Sequence, residues 1–220
     1  MANDPTRPFL RARQPEHKEL RRQEILAAAG KLLDEHGVEG TGLSAIAREA
    51  GISKGNVYRY FESREAVLLQ LLLDEQELWC EELEAELPSV RPNDLEGVAE
   101  VLTNGLVTRP RYCALIASLA GVLEHNLSRQ AIAEFKRSIA ARSGGVLAAL
   151  HASLPQFSEE LCGLILTEQV FAAGGFWPHC HPAPAVQEVL EDDEFAEMRF
   201  DFETLTRSLT HALLRGHTPE

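Results

Sequence analysis

Residues 41–69 read TGLSAIAREAGISKGNVYRYFESREAVLL, and the spacing within this stretch decides how the whole chain is read. Leu43, Ile46, Ala47 and Ala50 fall at i, i+3, i+4 and i+7, the repeat that lines one face of a helix. Gly51 follows, where a left-handed turn suits glycine and stops the helix. Ser53 then caps a short further helix that turns Val57 and Phe61 inward. Ala47 is small enough for that helix to cross closely over it, and Val57 packs back against the first. This is the physics of a helix-turn-helix. It leaves Lys54, Asn56, Tyr58 and Arg59 facing outward: a cation, a base-reading amide, a phosphate-reaching hydroxyl and a guanine-reading fork. Gly55 removes a side chain where the helix start would approach a DNA backbone.

The reading extends in both directions. Upstream, Ile25, Ala29, Leu32 and Leu33 keep a helical period that begins near Glu19 and stops at Gly37. Residues 1–19, with three prolines, several charges and no apolar period, read as a flexible arm. Arg7, Arg11 and Arg13 within it are either minor-groove contacts or a solvated tail. Downstream, Ser63 caps a long fourth helix to about Leu87. Further helices are predicted at roughly 94–107, 110–126, 128–153, 158–175 and 200–215, with Asp94, Ser128 and Ser158 as N-caps and Pro110 in a first turn. The stretch GGFWPHCHPAPAVQEVLEDDEF before the last of these reads as a long proline-rich connection. The expected architecture is all-α: an arm (1–19), a three-helix helix-turn-helix domain (20–64) and a larger helical ligand-binding and dimerisation domain (65–220).

Charge supports that division. The 220-residue chain carries 21 Lys+Arg against 34 Asp+Glu, a net of -13. Residues 1–64 hold 11 basic and 9 acidic side chains, whereas 65–220 hold 10 and 25. Only the first part can neutralise phosphates, and repulsion of the acidic remainder orients the molecule on a duplex. No run is apolar for the eighteen or more residues of a membrane helix, and the N-terminus lacks the apolar core of a secretory signal. The four cysteines, Cys80, Cys113, Cys162 and Cys180, form no CxxC pair, so reduced thiols and a cytoplasmic location are expected.

Residues 21–70 resemble the DNA-binding domain of TetR/AcrR-type transcriptional regulators. RRQEILAAAGKLLDEHGVEG is similar to that family's first helix and SAIAREAGISKGNVYRYFESREAVLL to its next three, with the IA…AG.SKG..Y.YF.S.E.L pattern met almost fully. The EHNLS…FK and GFWPH segments also resemble one branch of its C-terminal domain. The resemblance implies DNA contacts from Lys54, Gly55, Asn56, Tyr58 and Arg59, and from Tyr60 and Arg64 at positions that often touch phosphate. Tyr60 can equally pack on the fourth helix. Where the family commonly has Ser or Thr this chain has Gly42, so Thr41 is expected to supply that contact. Ser44 and Ala45 stand where an Arg is common, which weakens base reading from that helix.

The same resemblance implies a homodimer on a palindromic operator, built on the helices near 158–175 and 200–215. Leu161, Leu164, Ile165 and Phe171 on one, and Phe202, Leu205, Leu209 and Leu213 on the other, supply the apolar faces. It further implies repression relieved by a small-molecule effector, in a pocket walled by Tyr112, Leu115, Leu119, Phe171, Phe176 and Trp177, residues that plain core packing explains equally well. A DNA-binding dimer without a ligand, or an enzyme using the C-terminal domain, are the rival readings. No triad, phosphate loop or paired-carboxylate motif supports catalysis. His179, Cys180 and His181 carry metal-ligating groups, but adjacent residues seldom converge on one ion, so no metal or other cofactor is expected. His125 and His151 each stand alone on a helix and are not expected to be ligands.

Overall fold

The computed structural model describes residues 7–124 and 127–217, with side chains from residue 16 onward. All regular elements among them are helical. They are α1 (Arg7–Gly40), α2 (Leu43–Glu49), α3 (Lys54–Val57), α4 (Arg64–Glu86), α5 (Leu95–Val107), α6 (Pro110–Ser118), α7 (Arg129–Ser153), α8 (Glu159–Cys180), α9 (Pro184–Leu190) and α10 (Phe202–Gly216). The chain forms two compact units, one ending at Leu71 and the other beginning at Leu72, a boundary somewhat later than the 64/65 expected from sequence.

In the first unit α1 begins at Arg7, well before the expected start near Glu19. Leu, Arg, Gln, Glu and Lys dominate residues 7–24 and favour helix, and Pro8 sits in the first turn, where its missing N–H has no intrahelical role. The arginine side chains of the expected arm, and His125, lie outside the described residues. Gly37 breaks the helix at φ 67° and Gly51 makes the turn after α2 at φ 66°, a backbone region that side chains with a Cβ rarely adopt. Ile25, Ala29, Leu32 and Leu33 of α1 meet Leu43, Ile46 and Ala47 of α2, with Val57 and Phe61 completing the buried core. Fully burying each of the larger aliphatic side chains contributes about 1.5–3 kcal/mol. The exposed Lys31–Glu49 pair, at 2.6 Å, joins α1 to α2 at the surface.

In the second unit α8 is the central element, packed against α6, α7 and α10, and α10 also packs on α5. Every expected serine or aspartate cap forms: Ser63 accepts from the Ala66 N–H, Asp94 from Gly97, Ser128 from Ala131 and Ser158 from Leu161, at 3.0–3.2 Å. Two stretches differ from the sequence expectation. The helix at 110 passes into a π-helical turn, Leu119–Leu123, closed by the Glu124 N–H on the Leu119 carbonyl at 3.1 Å. The connection after 175 is largely helical: α8 runs through Gly174 and Gly175 to Cys180, and α9 and a 3-10 turn at Asp193–Met198 follow. Packing overrides the low helix propensity of the glycines here. Gly174 lies so close to α6 that a Cβ would come within 2.7 Å of Ile116, and Trp177 secures the last turn, edge-on to Phe202 at 5.1 Å.

Candidate nucleic-acid interface and effector cavity

The first candidate site is the short helix that Val57 anchors. Ser53 caps it by accepting the Asn56 N–H at 3.3 Å. After Val57 the chain continues as a helical turn, with the N–H groups of Tyr60 and Phe61 both donating to the Val57 carbonyl. Val57 is fully buried, so rotation about the helix axis is fixed and Lys54, Gly55, Asn56, Tyr58 and Arg59 are held at the surface. Tyr58 is 52% exposed, a large aromatic that the fold leaves in solvent. A Cβ added to Gly55 would meet nothing nearer than the Ser53 Oγ at 4.0 Å. The fold therefore does not demand glycine there, and glycine within a helix costs about 1 kcal/mol relative to alanine. Ser44 is exposed at the start of α2, and Tyr60 is half-buried.

Thr41 and Arg64, two expected phosphate contacts, also have partners within the fold. Thr41 is fully buried; its Oγ1 donates to the Gly37 carbonyl at 2.8 Å. Arg64, at the start of α4, donates from Nε to the Thr41 carbonyl at 2.7 Å and from Nη2 to the Val38 carbonyl. Its guanidinium also lies 3.7 Å from Glu65. Together they close the link between α1 and α2 onto α4. Arg22, which the sequence reading did not single out, lies over the Phe61 ring at 4.5 Å and donates to Gln70 at 2.5 Å.

The second candidate site is a cavity of about 400 Å³ among α4, α6, α7 and α8. Leu72, Trp79, Cys80, Ile116, Ile139 and Val146 are among its apolar lining, with Gln76, Ser143, Thr167 and Lys136 supplying polar groups. Of the pocket residues expected from sequence, Tyr112, Leu119 and Phe171 line it. The other three do not. Leu115 is fully buried core, Phe176 is half-buried on α8 away from the cavity, and Trp177 stacks on His181 at 3.7 Å. Sequence reasoning missed the contributions of α4 and α7, because their lining residues share the apolar period of ordinary core positions. Burial holds the Tyr112 hydroxyl well above its usual pKa, and burial, reinforced by Glu84, pushes the Cys80 thiol up to about 11. Both groups are neutral at physiological pH.

A third concavity, open to solvent, is bordered by His179, Cys180, His181, Gln187 and Arg199. Among the described residues, no three His, Cys, Asp or Glu side chains converge in a metal-binding arrangement. Nor, among them, is any single helix long and apolar enough to cross a membrane.

A helix-turn-helix with an outward polar row, joined to an all-helical unit around an apolar cavity, defines a class of DNA-binding regulator. The chain belongs to the TetR family: residues 25–71 match the domain described as bacterial regulatory proteins, tetR family, and residues 73–220 match the tetracyclin repressor-like C-terminal domain. The HTH-type transcriptional regulator HbdR of Aromatoleum sp. (strain CIB) is 30% identical over 102 residues, 46% of this chain and 41% of that protein. RutR of Escherichia coli (strain K12) is 37% identical over 65 residues, 30% of this chain and 31% of that protein. The chain thus covers less than half the length of these curated relatives. Among solved structures, the transcriptional regulator FadR from Bacillus subtilis in complex with stearoyl-CoA is similar with a TM-score of 0.56 at 18% identity, covering 88% of this chain and 98% of that one. A TetR-family transcriptional regulator from Streptomyces coelicolor gives 0.54 at 19% identity, covering 90% and 99%. These likenesses show a shared fold.

Proposed function

We propose that this protein is a homodimeric, sequence-specific repressor in the cytoplasm that binds a palindromic operator and leaves it when a small, mainly apolar effector enters the cavity among α4, α6, α7 and α8. The observation that carries the reading is the row of Lys54, Asn56, Tyr58 and Arg59 held outward by the buried Val57, beside a glycine the fold does not require. Binding of Lys54 and Tyr58 to phosphate would position the helix, and Asn56 and Arg59 would read base edges. Ser44, Gly55 and Tyr60 border that surface. Thr41 and Arg64 act through the scaffold beneath it.

Exposed Leu164 and Phe171 on α8, with half-buried Leu161, and Leu205, Leu209 and Leu213 on α10, support dimerisation through these helices. Ile165 and Phe202, expected on the same faces, are buried within the protomer and are not available. A cavity of about 400 Å³ is within the size of small-molecule sites and favours an effector over a ligand-free DNA-binding dimer. The stearoyl-CoA held by the Bacillus subtilis FadR is consistent with an effector of apolar body. The regulatory family makes an enzyme the weaker reading. Coupling would run along α4, which begins with Arg64 and reaches Gln76 and Trp79 on the cavity wall. A ligand preferring one arrangement of the DNA-binding helices shifts the population toward it.

Two measurements test the proposal. Sedimentation should give a dimer at micromolar concentration, free and on a retarded promoter fragment; a monomer in both would end the dimeric reading. A flexible break in α4 outside the cavity lining, Leu73→Gly combined with Asp74→Gly, should, if folded, bind DNA and effector with little mutual effect. Retention of the wild-type effector response would place the coupling elsewhere.

A further inference from the structure

The polar groups on the cavity wall constrain what can occupy it. Gln76 is 5% exposed, its carboxamide in the wall beside Ser143. The Ser143 hydroxyl has one proton and donates it to the Ile139 carbonyl at 3.0 Å. Ser143 Oγ is therefore an acceptor toward Gln76, whose Nε2 donates to it at 3.4 Å. This relay fixes the carboxamide orientation and leaves Oε1 buried with no hydrogen-bond partner among the described residues. A carbonyl oxygen buried under an apolar ligand without a donor is destabilising, a cost that a ligand supplying the donor avoids.

Trp79 Nε1 is a second buried, unpartnered polar atom on a lining residue, but it lies against Gly105 of α5, 3.1 Å from where a Cβ there would stand, and the rest of the wall offers little to a charged ligand. Lys136 is the one charged side chain among the lining residues, and its ammonium is held by Glu124 at 2.5 Å. The Thr167 hydroxyl donates to the Gly163 carbonyl at 2.8 Å. A carboxylate in the apolar part would face Oε1 and the neutral Tyr112 and Cys80 without a free cation, and burying an unpaired charge is far costlier than burying a hydroxyl.

We infer that the effector is an uncharged molecule of apolar body carrying one hydrogen-bond donor, of the alcohol, phenol or amide class, and that Gln76 Oε1 accepts that donor. Gln76 is thus the specificity-determining residue of the cavity. The inference rests on the effector reading above. It separates ligands by whether they donate, a property that size and hydrophobicity do not report.

Matched probes test it: decanol against nonyl methyl ether and decanoate, and para-butylphenol against para-butylanisole, titrated into the full 220-residue chain. Tryptophan fluorescence and thermal midpoint are the readouts, Trp79 being on the wall. The donor of at least one pair should bind wild type roughly three- to tenfold more tightly than its ether, as one neutral hydrogen bond allows, with decanoate weaker than decanol. Gln76→Leu should erase the difference while still binding the ether. Ethers or decanoate binding wild type as tightly as the donors, or Gln76→Leu keeping the preference, overturns the inference but leaves an effector cavity. Binding of no probe, by a protein that still retards DNA, overturns the effector reading on which the inference rests. The wild-type comparison decides alone where Gln76→Leu does not fold.

Discussion

The unit ending at Leu71 and the unit beginning at Leu72 present function in opposite ways. In the first, the candidate groups stand outside a small core: Val57 goes in, and Lys54, Asn56, Tyr58 and Arg59 come out as a consequence of helical period alone. In the second, the candidate site is a void, and its wall is assembled from four helices far apart in sequence. A projecting site needs one helix to be placed correctly. An enclosed one needs four helix faces to converge. The same kind of residue therefore reads differently in the two units: exposed Tyr58 is a candidate contact in one, and exposed Phe171 in the other borders the cavity.

The largest effect expected from substitution separates wall from core. Leu115→Ala removes a fully buried side chain and should cost about 2–5 kcal/mol of stability, read from denaturant unfolding. Phe171→Ala, at a residue 71% exposed, should change stability little while altering effector binding or dimerisation. Equal losses of stability would mean that Phe171 is core and the distinction fails.

Arg64 sharpens the comparison inside the first unit. Arg64→Ala leaves the Thr41 carbonyl without its side-chain donor and the Val38 carbonyl with the Thr41 N–H alone, so the DNA-free protein should lose about 1–3 kcal/mol. A side chain that served phosphate alone would leave the free protein's thermal midpoint unchanged and flatten only the salt dependence of DNA binding.

Smaller in reach, though not at its own position, is the change from Arg59→Ala. It should relax base preference at one position per half-site by about 1–3 kcal/mol, if the side chain reads guanine. Tyr58→Phe should weaken all sequences alike, as loss of a phosphate contact does. Selected binding sites from both variants compare the two, and an unchanged preference for Arg59→Ala removes its readout role.

The smallest effect belongs to the Lys31–Glu49 pair. The hydrogen bond and charge of Lys31 hold the Glu49 carboxyl below its usual pKa, so the contribution is present above the ordinary carboxylate range and is lost as pH falls through the lowered value. Both groups are solvent-exposed, and Lys31→Met should leave the thermal midpoint at neutral pH unchanged within error. A clear drop would show the α1–α2 junction to depend on that surface contact.

These contrasts explain what was legible. Ala47, Gly51 and Val57 report the helix-turn-helix because each has one physical reason for its type: close approach, a positive φ and a core position. The caps at Ser53, Ser63, Asp94, Ser128 and Ser158 were legible because capping is local chemistry. The cavity was half legible. Tyr112, Leu119 and Phe171 were found, but Gln76 and Ser143 were not, since a lone polar residue on a helix usually faces water. The scaffold bonds of Thr41 and Arg64 were not legible for a related reason. Polar side chains near a binding motif suggest contacts with a partner, and only tertiary structure shows that a backbone carbonyl already occupies them. Gly174 and Gly175 suggested a helix end, but the packing of α8 on α6 keeps the helix intact.

Selection of binding sites from random duplex DNA tests the central claim most directly, at one stated salt concentration, with wild type beside the double variant Lys54→Ala, Tyr58→Ala. The account predicts that wild type enriches a two-fold symmetric motif with half-sites about one helical turn, roughly 34–36 Å, apart, and that the double variant enriches none. A motif enriched equally well by the double variant, or no symmetric motif with wild type, would contradict it.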